Sequence, residues 1–215
     1  MQHALPSVKQ DEKYKEQLTE LKSRDDIPKE WQNTPIENFI MSHNFGFPLH
    51  ATGQPELAIA TCIEFRYAMQ VPRMYAYVMR RAGGRPLGAE FSLGYILAKG
   101  VNHLVMIGHN DCGMSKLDQM KDPVINAFTE QGWSRKAAEA YVQRQGVHHA
   151  IGHELEALKD EYVRLQQLFP KLEVAPLFVC LYDNQLYLPK WYNEVRQQNG
   201  AKAVSVPDEL IERLP

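Results

Sequence analysis

Cysteine is scarce in this chain, with three among 215 residues. The opening residues also lack the apolar core of an export signal. A disulfide-stapled secreted scaffold is therefore excluded, and thiol or metal chemistry is the better expectation for the cysteines. No apolar run approaches the roughly 18 residues of a membrane-spanning helix, so no membrane partner is expected. An excess of charge of either sign is missing too: 24 Lys+Arg stand against 26 Asp+Glu, a net charge of −2. That balance argues against nucleic acid as a partner. Internal repeats and low-complexity tracts are likewise absent. What is there, 44% hydrophobic and 23% charged residues, marks a folded globular chain long enough for one sizeable core. The expected location is the cytoplasm.

Residues 1–30 are polar and charge-dense and read as an N-terminal helical arm, ahead of a single α/β domain over residues 31–215. Tyr14, Leu18 and Leu21 fall at i, i+4 and i+7, the spacing of a thin apolar stripe on one helix. Such an arm either lies on its own domain or packs on a second subunit. Residues 32–54 read as loop, from Asn33-Thr34-Pro35 through Gly46 and Pro48 to Gly53. Continuous apolar runs at 57–63, 101–107 and 174–181 suit strands buried on both faces of a parallel sheet. A further apolar run lies at 74–79, and a short late strand is expected at 203–206. Between them, 90–99 reads as a helix stopped by Gly100, and another helix begins near Gly113. Residues 133–169 read as largely helical, interrupted at Gly146 and Gly152. Strands alternating with helices of this length predict an α/β fold: a mostly parallel central sheet flanked by helices.

Two segments stand where strands should end. One is Cys62-Ile63-Glu64-Phe65-Arg66, the other His109-Asn110-Asp111-Cys112-Gly113. Parallel sheets gather functional groups at the carboxyl ends of their strands. If these two strands are neighbours, Cys62, His109 and Cys112 converge. Two thiolates and an imidazole make a good zinc set, and three protein ligands leave a fourth tetrahedral position open, as catalytic zinc requires. Taken singly, Cys62 reads as an inert buried thiol and His109 as a hydrogen-bonded strand-end histidine. Their combination with Glu64, Arg66, Gly108 and Gly113 overturns those readings.

The same residues carry a resemblance. Cys62-x-Glu64-x-Arg66, Arg80-x-Ala82-Gly83, Ser92-Leu93-Gly94-Tyr95 and Gly108-His109-Asn110-Asp111-Cys112-Gly113 resemble, in order, the motifs of the β-class carbonic anhydrases. The likeness covers residues 56–117, with a looser echo at 178–187 around Tyr182-Asp183. It implies one zinc per chain on Cys62, His109 and Cys112, with Glu64 and Arg66 in the positions of the family's catalytic carboxylate–arginine pair. It also implies a lyase that hydrates CO2 reversibly to bicarbonate by attack of a zinc-bound hydroxide. A homodimer or higher homo-oligomer, embraced through the N-terminal helix, is implied as well. Three positions depart from the family pattern: Glu64 stands where the family has Asp, Arg81 where it usually has Asn, and Gly94 where it usually has Glu. Glu64 reaches about 1.5 Å farther than Asp. It either pairs with Arg66 and gates the nucleophile, or swings onto the metal and closes the site. Two alternatives follow: a hydrolase of COS or CS2, from Glu64 and Arg81 together, and a catalytically silent zinc-binding paralogue, from Glu64.

The remaining candidates have simpler readings. His149 and His153 are four apart on an expected helix but lack a third ligand, so they read as surface or packing residues. Cys180, inside Leu177-Phe178-Val179-Cys180-Leu181, reads as core. Asp111 reads as a turn residue, Arg80 and Arg81 as solvated charge, and Tyr75, Tyr77, Phe91 and Tyr95 as core and interface.

Overall fold

The computed structural model describes residues 8–199, 206–212 and 214. Its strands are β1 (Leu18–Glu20), β2 (Leu57–Thr61), β3 (Ala76–Arg80), β4 (His103–His109), β5 (Glu173–Cys180) and β6 (Gln185–Pro189). They form one sheet in the order β1-β6-β5-β4-β2-β3. The four strands β3, β2, β4 and β5 run parallel, and β6 and β1 add antiparallel at the far edge. The chain passes from β2 outward to β3, then returns to lay β4 on the other side of β2. The winding therefore reverses between β2 and β4, and a crevice opens at their carboxyl ends.

The helices are α1 (Val8–Lys15), α2 (Pro35–Phe45), α3 (Glu90–Ala98), α4 (Leu117–Glu130), α5 (Arg135–His149), α6 (Glu154–Leu168), α7 (Tyr192–Asn199) and the short α8 (Asp208–Ile211). Helix α6 packs on β4 and β5, while α2 packs on β4 and β6. Every residue of β2, and nearly every one of β4 and β5, is buried. The middle of the sheet is thus covered on both faces, which is why its strands read as unbroken apolar runs. Trp31, Phe39, Tyr75, Tyr162, Phe178 and Tyr192 are the bulkiest fully buried side chains. No helix among the described residues is long and apolar enough to cross a membrane.

The α/β architecture, the mostly parallel sheet and the leading helix are as expected; several local elements differ. Helix α1 contains Tyr14 but ends at Lys15, and Leu18 opens strand β1 instead of continuing the stripe. Pairing of Leu18 with Pro189 and Thr19 with Leu188 at the sheet edge outweighs the helical spacing. The expected loop over 32–54 holds helix α2. Thr34 caps its first turn, Pro35 occupies the first helical position, and Gly46 closes it at φ 71°. Gly146 does not interrupt α5; the break lies after His149. Strand β6 has no counterpart among the expected strands, and the strand expected at 203–206 falls almost wholly outside the described residues.

Candidate metal centre

Strands β2 and β4 are paired neighbours, with Thr61 opposite Ile107, so the residues just beyond them share one end of the sheet. Past β2 the chain alternates: Cys62 and Glu64 are buried, while Ile63 and Phe65 are 61% and 70% exposed. An extended segment sends successive side chains to opposite sides. Cys62 and Glu64 therefore face inward together, and a turn at Phe65-Arg66, closed by the Arg66 N–H on Glu64 Oε1, brings the guanidinium beside them. His109 is the last residue of β4. Asp111, at φ 51°, turns the chain back so that Cys112 reaches the same point. The Gly83-Gly84 turn closes over them with both residues at positive φ. A Cβ on Gly84 would lie 3.2 Å from the Cys62 nitrogen, and one on Gly83 would lie 2.9 Å from the His149 carbonyl oxygen. Only glycine fits there without displacement.

The two sulfurs are 3.9 Å apart. A disulfide needs about 2.05 Å, whereas two sulfurs on a tetrahedral zinc, each at about 2.3 Å, lie about 3.8 Å apart. A ring nitrogen of His109 and both sulfurs all fall within 4.8 Å of one another, and all three residues are buried. His109 Nδ1 lies 2.9 Å from the Asn110 carbonyl oxygen, which fixes it as the N–H donor. Nε2 is left buried with no hydrogen-bond partner among the described residues. The Cys112 thiol beside it lowers Cys62 to about 4, with His109 adding to the effect and burial opposing it. Cys112 is pushed up by the same pairing and by burial. Burial disfavours a charged His109, but the Cys62 sulfur and the Asn110 carbonyl outweigh it, and its pKa rises. A proton shared between two buried sulfurs, next to an unpartnered imidazole nitrogen, is the arrangement a thiophilic divalent cation would replace. The residues fit the metal.

Beside the triad, Arg66 donates from Nε to Glu64 Oε1 at 2.8 Å and from Nη2 to Oε2 at 2.7 Å. The Arg66 backbone N–H also donates to Oε1, at 2.8 Å. On its other side the guanidinium meets Asp111 Oδ2 at 2.9 Å and the Asp111 carbonyl at 3.1 Å. Burial would raise the Glu64 carboxyl, but the Arg66 hydrogen bonds overcome it and hold the pKa below 4.5. Glu64 Oε2 lies 4.0 Å from His109 Nδ1, so this carboxylate stands against the triad.

The structure thus brings Cys62, Glu64, Arg66, His109 and Cys112 together. Cys180 is fully buried in β5, as expected of a core residue. His149 ends α5 and His153 precedes α6, so the two do not share a helix; the chain breaks between them. Asp111 does more than turn the chain, since it holds Arg66. Arg80 Nη1 reaches the Glu64 carbonyl at 3.4 Å, and Arg81 donates to the Leu87 carbonyl. Tyr75 is core, whereas Phe91 and Tyr95 are exposed. Sequence reasoning missed Glu154, the first residue of α6. It is buried, and it accepts the Cys112 backbone N–H at 3.2 Å. Nothing in its charged neighbourhood marks it; only the placement of α6 does.

Fold and site together define an α/β protein with a buried Cys-His-Cys cluster, able to hold a metal ion, at the switch point of its sheet. No protein-family model matches the chain, and no curated protein does. Solved structures do. The β-carbonic anhydrase isoform I of Trichomonas vaginalis matches with a TM-score of 0.52 at 18% identity, over 66% of this chain and 87% of that one. The carbonic anhydrase of Streptococcus mutans matches with a TM-score of 0.46 at 18% identity, over 65% and 85%. A carbon disulfide hydrolase matches with a TM-score of 0.44 at 18% identity, over 74% and 89%. The chain has a β-carbonic-anhydrase-like fold, and carries in it a Cys-His-Cys triad able to hold a metal ion and a Glu-Arg salt bridge resembling that family's Asp-Arg pair.

Proposed function

We propose that the protein catalyses the reversible hydration of CO2 to bicarbonate, with one zinc per chain held by Cys62, His109 and Cys112. The observation that carries this reading is the 3.9 Å approach of the two cysteine sulfurs beside the unpartnered His109 nitrogen. Zinc, when bound, would supply a Lewis acid that makes water acidic enough to be a nucleophile near neutral pH. The chain's own groups do the rest. Glu64 is kept ionised by Arg66 and fixed at both oxygens, so the lone pair left on Oε2 can accept and orient an O–H of water or bicarbonate. Arg66 is itself fixed from behind by Asp111, so the carboxylate cannot rotate away without breaking its three hydrogen bonds from Arg66. A partly open cavity of about 20 Å³, lined by His109 and Cys112 together with Gly83, Gly84 and Glu154, has room for one water beside the triad.

The homo-oligomer is part of the same proposal. Exposed Ile63 and Phe65 flank the site, and Phe91, at 90% exposure, adds a bare aromatic. Apolar surface of this kind suits a protein partner, and sedimentation would give its stoichiometry. The activity is tested by stopped-flow hydration of CO2 on zinc-loaded protein from pH 7 to 9, with Cys62→Ser as the control. A zinc-dependent rate that the control lacks is expected. No such rate would reject the proposal, and sulfide release from COS without hydration would move the assignment to thiocarbonyl hydrolysis.

A further inference from the structure

Glu154 is a buried carboxylate with no place in the chemistry above. It opens α6, where a negative charge suits the helix N-terminus, but both of its oxygens are spent elsewhere. Oε1 accepts the backbone N–H of Cys112 at 3.2 Å, and Oε2 accepts the Tyr14 hydroxyl at 3.0 Å. The other end of the Cys112 residue is held too: Ser115 donates to the Cys112 carbonyl from Oγ at 2.7 Å and from its backbone N–H at 3.0 Å. Cys112 is thus clamped at both its N–H and its C=O, which fixes the direction of its Cα–Cβ bond and confines its sulfur to the arc about that bond. Tyr14 belongs to α1, and its ring stacks on Phe178 of β5 with centroids 5.4 Å apart. The contact therefore runs from the N-terminal helix through Glu154 to a residue of the triad.

We propose that Glu154 is a positioning residue for the metal site, clamped by Tyr14, so that docking of α1 on its own chain tightens the grip of Cys112 on the metal. This rests on the triad being the metal site. A hydrogen-bonded carboxylate on a ligand's backbone holds the Cα–Cβ bond in place before the metal arrives, so the sulfur has only one torsion left to set when the metal binds. The consequence is a slower metal loss and a defined ligand geometry.

The test uses cobalt(II) in place of zinc on the full chain, reading the visible d–d bands, the thiolate-to-cobalt charge-transfer band and the rate of metal loss to a chelator. Thermal unfolding is followed in parallel. Glu154→Ala is expected to lose metal at least about tenfold faster with shifted d–d bands, and Tyr14→Phe about fivefold faster. Glu154→Gln, whose amide oxygen still accepts from Cys112, is expected to restore most of the wild-type spectrum. Should Glu154→Ala not fold, Glu154→Gln and Tyr14→Phe decide on the same readouts. Wild-type bands and loss rates in Glu154→Ala and Tyr14→Phe, with only a lowered melting temperature, would overturn the proposal. A wild-type chain that takes up no cobalt at the triad would overturn it together with the metal reading. Normal cobalt bands without CO2 hydration would count against the proposed activity alone, since neither readout depends on turnover.

Discussion

Arg66 meets Glu64 side-on, with Nε and Nη2 each on a different carboxylate oxygen at 2.8 and 2.7 Å. The extra methylene of Glu64 over Asp is absorbed by this fork, and the carboxylate ends 4.0 Å from the His109 ring nitrogen. Arg66 in turn joins two carboxylates, because Asp111 takes the opposite side of its guanidinium. Position, charge state and orientation of Glu64 all depend on one arginine.

The first prediction follows from that dependence. Glu64 is held below 4.5 in the folded chain, burial opposing and Arg66 prevailing. Its contribution to stability is therefore complete above pH 4.5 and is lost as the pH falls through the depressed native value. In Arg66→Met the carboxylate is buried without its partner, so its pKa should rise above 4.5 and ionisation above that pH should destabilise the variant. Urea unfolding from pH 4 to 8 is expected to show the gap between wild type and variant widening toward neutrality, to about 3 kcal/mol. A gap independent of pH would show that the loss is one of packing.

Metal stoichiometry separates the three cysteines. Cys62 and Cys112 converge, while Cys180 is sealed in the core of β5. Cys180→Ala is expected to keep one equivalent of zinc and to lose about 1 kcal/mol of stability. Cys62→Ala, Cys112→Ala and His109→Ala are each expected to fall well below one equivalent after dialysis, measured by elemental analysis. Retention of full zinc in all three would place the ion elsewhere.

Gly84 tests the frame around the site. It sits at φ 74°, where a Cβ would crowd the Cys62 nitrogen at 3.2 Å and the Ile107 carbonyl oxygen at 3.5 Å. Gly84→Ala is expected to lose about 1–2 kcal/mol from the left-handed backbone, and to weaken metal binding by shifting Cys62 off the end of β2. Gly94→Ala is the comparison, since nothing lies within 4 Å of the Cβ it would add. That variant should bind metal as the wild type does and gain slightly in helix stability.

Much of this site is legible in the sequence, for a definite reason. The Cys62-x-Glu64 spacing works through the alternation of an extended segment, which needs no tertiary information, and the buried strands beside it announce themselves as apolar runs. What the sequence hides depends on partners far along the chain. Leu18 has helical spacing from Tyr14, yet edge pairing with Pro189 makes it strand. Glu154 is one acid among several until α6 is docked under Cys112. Helix α2 differs in kind: Thr34, Pro35 and Gly46 are turn formers that read equally as loop, and here they mark the two ends of a helix.

His43 supplies a pH dependence away from the metal. Its ring lies between Phe39 and Tyr67, with centroids 5.9 and 5.6 Å away, and its Nδ1 is 3.3 Å from the Asn44 side-chain oxygen. Burial depresses its pKa below 6.5, with Asn44 opposing weakly. Below pH 6.5 the unfolded chain takes up a proton that the folded chain resists, so stability is whole above that pH and is lost as the pH falls through the native value. His103, also depressed by burial, acts in the same direction, so the acid limb should shrink in a variant of His43 without vanishing. His43→Phe keeps an aromatic ring between Phe39 and Tyr67 and cannot titrate. Unfolding free energies of the two zinc-loaded proteins from pH 8 to pH 5 are expected to shift steadily in favour of the variant as the pH drops. Parallel curves would show that His43 is protonated as readily in the folded chain as in the unfolded one, which a ring buried among aromatic side chains should not allow.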